Sequence, residues 1–206
     1  MKKTTVFIVD DHAILRMGLV SLLQRKDDIE VVGDTSSGEV AVRKVPKLKP
    51  DVIIMDLMMP KMDGTEATRQ IIKANPDAKI LVLTTFGTAD GISKALQAGA
   101  IGAVLKSSNL SEVVEAIRAV ARGEKYVSSD VKAIFAAEPP LPALTSRQAE
   151  ILEAIIKGLT NKEIANNLGI SLQMVKEHVR GIFTKIGANR RSEAAAIALR
   201  KHLLKM

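Results

Sequence analysis

The stretch Asp51-Val-Ile-Ile-Met-Asp56-Leu-Met-Met-Pro60-Lys-Met-Asp-Gly64 decides the fold. Its apolar run, residues 52–55, stops abruptly at Asp56, and two methionines, a proline and an Asp-Gly turn follow. A short apolar run bounded by turn residues is the pattern of a fully buried strand. In an open parallel sheet, chemistry collects beyond the carboxyl ends of the strands. Asp56 sits at such an end.

Working outward, the same alternation recurs. Residues 6–9 read as a strand ending in Asp10-Asp11, followed by Ile14, Leu15, Leu19, Leu22 and Leu23 at helical spacing. Residues 30–33 form a second strand, and residues 38–47 a helix closed by Pro46 and Pro50. After the quoted stretch come a helix over 65–74, a strand over 80–83 ending in Thr84-Thr85, and a short helix over 90–97. A strand over 103–105 then ends in Lys106, and an amphipathic helix over 110–122 is closed by Gly123. Five strands alternating with five helices predict a doubly wound α/β domain over residues 1–122, built on a five-stranded parallel sheet. Asp10, Asp11, Asp56, Thr84 and Lys106 then converge on one sheet edge. Taken singly, each has a plain structural reading as a helix cap, a turn residue or a surface lysine. Core packing alone does not explain all of them at neighbouring strand ends.

Residues 123–143 change character. They hold Ser128-Ser129, a short possible helix over 131–137, and then Glu138-Pro-Pro-Leu-Pro142. Closely spaced prolines disfavour helix and stiffen the chain, so this segment reads as a linker. From Leu144 to residue 206 the pattern is all helical. Thr145 with Gln148 makes a capping box, and Thr160 with Glu163 repeats the spacing. Helices follow over 161–168, from Ser171 to a stop at Gly187, and over 192–204, the last rich in alanine. A short helix, a Gly-containing turn and a second helix make a helix-turn-helix unit, here within a small four-helix domain.

Composition narrows the function classes. The 206 residues suffice for one large or two small domains. There is no cysteine, which excludes a disulfide framework, a thiolate zinc site and a cysteine nucleophile. No apolar segment approaches the roughly 18 residues of a membrane span, and no signal peptide is visible, so a cytoplasmic protein without membrane contact is expected. The net charge of +7 is uneven: residues 144–206 hold 11 Lys/Arg against 5 Asp/Glu, whereas residues 1–122 hold 17 against 15. A basic last third suggests a polyanionic partner, the plain alternative being a solvated lysine-rich surface.

Three carboxylates held close together are unfavourable without a cation. An oxygen-only cluster suits Mg²⁺, which takes one or two carboxylates and keeps waters. Lys106 offers a compact positive charge and Thr84 a hydroxyl. Together these are the parts needed to accept and hold a phosphoryl group on Asp56. In the last third, Gln173, Lys176, Glu177 and Arg180 lie away from the apolar stripe of Val175, Val179, Ile182, Phe183 and Ile186. Such a face fits a major groove, where Lys or Arg reads guanine and Glu accepts from cytosine. Lys162, Lys185, Arg190 and Arg191 are candidates for phosphate contacts, as are the backbone N–H groups near Asn161. The histidines His12, His178 and His202 lie too far apart in the motif map to make a metal site. His12 and His202 read as isolated residues, and His178 as a packing or backbone-contact residue.

Asp10-Asp11, the Met55-Asp-Leu-Met-Met-Pro-Lys-Met-Asp-Gly64 stretch, Leu83-Thr-Thr85 and Lys106 resemble the receiver domain of two-component response regulators. Leu144-Thr-Ser-Arg-Gln-Ala-Glu-Ile-Leu152, Gly158-Leu-Thr-Asn-Lys-Glu-Ile-Ala-Asn-Asn-Leu-Gly-Ile-Ser171 and Val175-Lys-Glu-His-Val-Arg-Gly-Ile-Phe-Thr-Lys-Ile-Gly187 resemble a LuxR-type DNA-binding domain. Together the halves are similar to the NarL/FixJ group. The resemblance implies a flavodoxin-like receiver with Asp56 as phosphoacceptor, and Mg²⁺ on Asp10, Asp11, Asp56 and the Met58 backbone carbonyl. It implies that Thr84 and Lys106 contact the phosphoryl group, and that Lys176, Glu177 and Arg180 face bases. Its implied partners are a sensor histidine kinase, double-stranded promoter DNA and a second copy of the chain once phosphorylated, with a regulatory rather than an enzymatic role. Two positions depart from the family pattern. Ala103 stands where an aromatic residue is common, and Ser107 stands where proline is common. Ala103 keeps a second reading open, in which the receiver acts as a docking or dimerisation module independent of phosphorylation. A Mg²⁺-dependent phosphatase would be the enzymatic rival.

Overall fold

The computed structural model describes residues 2–85, 89–137, 139–142, 144–200 and 203, with only the backbone of Arg200. The chain divides into two compact units, residues 1–139 and 140–206.

The first unit is a parallel sheet wrapped by helices. Its elements run β1 (Thr4–Val9), α1 (Ala13–Gln24), β2 (Ile29–Thr35), α2 (Gly38–Leu48), β3 (Val52–Met55) and α3 (Gly64–Ala74). They continue with β4 (Ile80–Thr84), α4 (Ala89–Gln97), β5 (Gly102–Leu105), α5 (Leu110–Ala121), β6 (Tyr126–Val127) and α6 (Ser129–Ala137). The sheet order is β2-β1-β3-β4-β5-β6, and every pairing is parallel. The chain winds outward from β1 in one direction to β2 and in the other to β3 and beyond, which places helices on both faces.

Alternation along the strands separates two cores. Phe7, Val9, Ile53, Met55, Ile80, Val82 and Ala103 face one side, where they meet Ala41 and Val45 of α2, Ala67 and Ile71 of α3, and Ile92 and Ala95 of α4. Val6, Ile8, Val52, Ile54, Leu81, Leu83 and Val104 face the other, against Leu19 and Leu23 of α1 and the α5 row Val113, Ile117 and Val120. All four residues of β3 are buried, which is why the strand reads as continuously apolar.

Three boundaries differ from the sequence expectation. Pro46 lies inside α2 rather than ending it, because the helix closes three residues later at Lys49, a left-handed cap whose N–H donates to the Val45 carbonyl at 2.8 Å. The sheet has six strands, not five. Tyr126 and Val127 pair with Gly102 and Ala103, and the N–H groups of Tyr126 and Ser128 donate to the carbonyls of Ile101 and Ala103, each at 3.0 Å. A two-residue strand carries no periodicity to read. Gly102 makes room for it, since a Cβ there would lie 2.8 Å from Leu81 and 3.2 Å from the Tyr126 carbonyl. Finally, much of the expected 123–143 linker belongs to the first unit. After β6, α6 buries Val131 and packs Phe135 onto the core that contains Ala103.

The second unit is α7 (Ser146–Ile156), α8 (Asn161–Leu168), α9 (Leu172–Ile186) and α10 (Arg191–Arg200). Thr145 and Thr160 form the two expected capping boxes with Gln148 and Glu163. Gly169 and Gly187 end α8 and α9 in the left-handed conformation, at φ +63° and +70°. Ile151, Leu152, Ile155, Ile164, Val175, Ile182 and Ile186 form its core. The end of the helix expected over 192–204, His202 and Ala143 lie outside the described residues.

Candidate functional site

The carboxyl ends of β1, β3, β4 and β5 bring the chemistry together. The ladder continues past the strand ends: Asp56 N–H donates to the Val9 carbonyl at 2.9 Å and Lys106 N–H to the Thr84 carbonyl at 2.8 Å. Asp10, Asp56 and Lys106 are thereby carried to one edge and are almost fully buried. Lys106 Nζ lies 2.7 Å from Asp10 Oδ2 and 2.8 Å from Asp56 Oδ2. One ammonium therefore serves two buried carboxylates. Asp11 is partly exposed, and its Oδ1 is shielded with no hydrogen-bond partner among the described residues.

The backbone after β3 fixes Asp56 further. Met58 N–H donates to Asp56 Oδ1 at 3.3 Å, and the Met58 side chain points out to solvent. Gly64 N–H donates to the Leu57 carbonyl at 3.0 Å. Any Cβ at Gly64 would overlap the Asp56 carbonyl oxygen, so this close approach requires glycine. Asp63 caps α3 by accepting from Glu66 N–H at 2.7 Å. On the other side, Arg16 donates to the Asp10 carbonyl and pairs with Asp34 at 2.8 Å, tying the first loop to β2.

Burial pushes the Asp56 carboxyl above the usual carboxylate range. The hydrogen bond and charge of Lys106 oppose that rise, and the neighbouring Asp10 charge adds to it. Thr84 is fully buried at the end of β4, and its hydroxyl has no hydrogen-bond partner among the described residues.

One residue of the site was not read from the sequence. His12, taken there as isolated, joins Asp10, Asp11 and Asp56 in a group whose ligand atoms all lie within 4.8 Å of one another. A single histidine has no spacing partner. The available signal was its position directly after an acid pair at a strand end.

In the second unit, α9 exposes Gln173, Lys176, Glu177 and Arg180 along one face, with Val175 turned into the core. Gln173 donates to Glu177 at 3.1 Å, one helical turn on. Asn161, Lys176 and Arg180 line one open groove along α9 together with Thr184 and Asn189. Lys162 and Arg190 are exposed. Two of the cations read as candidates for phosphate contacts also bond within the unit. Lys185 Nζ donates to Gln148 Oε1 at 2.9 Å, linking α9 to α7. Arg191 is held against the Leu159 carbonyl and Asn161, and so braces the turn into α8.

Comparison with known proteins agrees with both halves. The response regulator receiver domain family matches residues 6–118, and the luxR family of bacterial regulatory proteins matches residues 142–198. The transcriptional regulatory protein LiaR of Bacillus subtilis is 42% identical over 207 residues, covering 97% of this chain and 98% of LiaR. RcsB of Salmonella enterica serovar Typhimurium, solved bound to promoter rprA in the presence of phosphomimetic BeF3-, is 25% identical with a TM-score of 0.67, covering 95% of this chain and 98% of that one. A structure of two RcsB dimers bound to two parallel DNAs gives a TM-score of 0.69 at 25% identity, covering 96% and 98%. With a family match over each half and a relative this similar along almost its full length, the chain belongs to the NarL/FixJ group of response regulators, which join a receiver domain to a LuxR-type DNA-binding domain.

Proposed function

We propose that Asp56 accepts a phosphoryl group from a sensor histidine kinase, and that this controls dimerisation and the binding of promoter DNA by α9. An Asp56 carboxylate oxygen attacks phosphorus as the bond from phosphorus to the kinase imidazole breaks. The freed nitrogen keeps the electron pair and takes up a proton. Asp10, Asp11, Asp56 and the Met58 carbonyl would hold Mg²⁺, which would supply neutralisation of the negative charge that gathers at the site. The donor set fits such an ion. Two buried carboxylates share one lysine, a third acid adjoins them, and Asp11 Oδ1 is left without a donor.

The observation that carries the reading is Lys106 Nζ, bonded to both Asp10 and Asp56 at a buried strand end. This ammonium is placed to transfer from carboxylate to phosphoryl oxygen as negative charge grows there. The Thr84 hydroxyl, free of other partners among the described residues, donates to a second phosphoryl oxygen. The modification adds a charge of about −1.5 to −2, by analogy with other phosphates. Ala103 is fully buried and has no ring to swing, so transmission runs through backbone and helix packing. The path is from β4 and β5 to α4, and on to α6, which packs against both α4 and β5.

On DNA, Lys176, Glu177, Arg180 and Gln173 face bases, while Lys162, Arg190 and the Asn161 N–H region contact phosphates. Lys185, engaged with Gln148, serves first to orient α9. Among the described residues no helix is long and apolar enough to cross a membrane; the reading as a promoter-binding regulator implies a cytoplasmic protein. On this reading the phosphoryl group is a signal, and the role is regulatory rather than enzymatic. Ala103 in place of an aromatic residue keeps a second reading open, a receiver that docks or dimerises regardless of phosphorylation.

Incubation with acetyl phosphate and Mg²⁺ tests the chemistry. One base-labile phosphoryl group should appear by mass in the wild type and be absent from Asp56→Asn. Equal labelling of both proteins would move the acceptor elsewhere.

A further inference from the structure

His12 is at the N-cap position of α1, yet its side chain makes no capping hydrogen bond. Helix termination therefore does not account for where it points. Its backbone N–H donates to Asp10 Oδ1 at 2.8 Å, which turns the residue toward the acids. Nδ1 lies 3.0 Å from Asp11 Oδ1, 3.5 Å from Asp10 Oδ1 and 4.0 Å from Asp56 Oδ2. Adjacent ligands on a six-coordinate ion with bonds of about 2.1 Å are separated by roughly 3.0 Å, and opposite ligands by roughly 4.2 Å. The 3.0 Å and 4.0 Å separations approach an adjacent and an opposite pair, and the 3.5 Å separation lies between the two.

Two further observations point to a shared ligand. Asp11 Oδ1 is shielded and has no hydrogen-bond partner among the described residues, even with the imidazole 3.0 Å away. At the same sheet edge, the fully buried Thr84 also leaves its hydroxyl unpartnered. On Asp10 the ammonium sits on Oδ2 and the imidazole approaches Oδ1, whereas on Asp56 both approach Oδ2, at 2.8 Å and 4.0 Å. With its side chain 62% exposed, His12 has room to adjust as an ion enters.

We propose that His12 Nδ1 is an additional ligand of the cation site, so that it raises the affinity for first-row transition cations with nitrogen affinity more than the affinity for Mg²⁺. This rests on the reading of Asp10, Asp11 and Asp56 as cation ligands. Carboxylate, carbonyl and water oxygens suit Mg²⁺, Ca²⁺ and Mn²⁺, whereas an imidazole nitrogen adds affinity for Ni²⁺, Zn²⁺ and their neighbours. An oxygen-only site already follows the same affinity order, so the contribution of His12 is the part of the selectivity that its removal takes away.

The test uses the full-length chain, wild type and His12→Ala, at one pH and salt concentration. Calorimetric titrations with Ni²⁺ and with Mg²⁺ give the affinities, and pulsed electron paramagnetic resonance of bound Mn²⁺ reads nitrogen coupling directly. His12→Ala should weaken Ni²⁺ about tenfold or more and Mg²⁺ less than about twofold, in the range seen when a metal site loses a supporting group. The ¹⁴N coupling should be present in the wild type and absent from the variant. Circular dichroism checks that α1 still forms. If both ions weaken equally, or neither changes, or no ¹⁴N coupling appears, His12 is not a ligand while the carboxylate site stands. If neither ion binds the wild type, the underlying cation reading fails as well.

Discussion

Replacing Lys106 by methionine removes the one ammonium that serves Asp10 and Asp56 and keeps most of its volume. Lys106 is 3% exposed, and its two partners are 2% and 1% exposed. Without it, two carboxylates stay buried and unpaired in the metal-free protein. Breaking a buried pair by removing one partner costs about 3–5 kcal/mol. At a urea slope of about 2 kcal/mol/M, the midpoint falls by about 2 M. Tyr126, the sole tyrosine in a chain without tryptophan, lies in β6 and reports on the first unit by fluorescence. The sign with pH follows from Asp56. Burial already holds its carboxyl above the usual value, and Lys106 opposes that rise, so the variant raises it further. A group whose folded value lies above its unfolded value, about 3.9, contributes fully below the unfolded value and loses that contribution as pH rises through the folded one. The variant should therefore regain stability as pH falls from 8 toward 4, narrowing its gap from the wild type. Mg²⁺ at about 100 times its dissociation constant should restore up to about 2.7 kcal/mol at neutral pH. A midpoint shift below about 0.5 M, flat with pH, would refute the idea that Lys106 neutralises two buried acids.

Three further outcomes are expected. Gly64→Ala forces the α3 start away from the Asp56 carbonyl, so it should cost at least about 2 kcal/mol in thermal unfolding and abolish labelling by acetyl phosphate. Arg180→Ala should weaken specific DNA binding by about 1–3 kcal/mol and relax preference at one base pair, whereas Arg190→Ala should weaken all sequences alike and lower the salt slope by about one, both readable by anisotropy titration. A fragment of residues 1–122 should be less stable in urea than one of residues 1–139 by at least about 2 kcal/mol, because it bares the β5 edge and removes the buried Val131. Equal midpoints would mean that β6 and α6 are not part of the folded unit.

What the sequence made legible follows from burial and periodicity. β3 and β4 are buried along their whole length, so they read as bounded apolar runs, with Asp56 and the Thr84-Thr85 pair at their ends. The α9 stripe was legible for the same reason, since Val175, Ile182 and Ile186 recur on one face. β6 was invisible because two residues have no period, and its existence depends on a backbone approach at Gly102 that only the fold reveals. α6 was read as a helix but not as a packed one, because the prolines that follow it drew the whole segment into a linker. That Lys185 and Arg191 also bond within their own unit was not legible, because charge pattern does not show which way a long side chain turns. His12 was missed because its relation to the acids is set by one backbone hydrogen bond to Asp10, not by any spacing.

The most direct measurement of the switch is DNA affinity with and without acetyl phosphate and Mg²⁺, at one fixed salt concentration, for the wild type and Asp56→Asn. Tighter binding with phosphodonor in the wild type alone is the predicted result, and would show that Asp56 controls DNA binding with Ala103 in place of an aromatic residue. Equal affinities for both proteins in both conditions would contradict it, and would leave the receiver as a docking or dimerisation module.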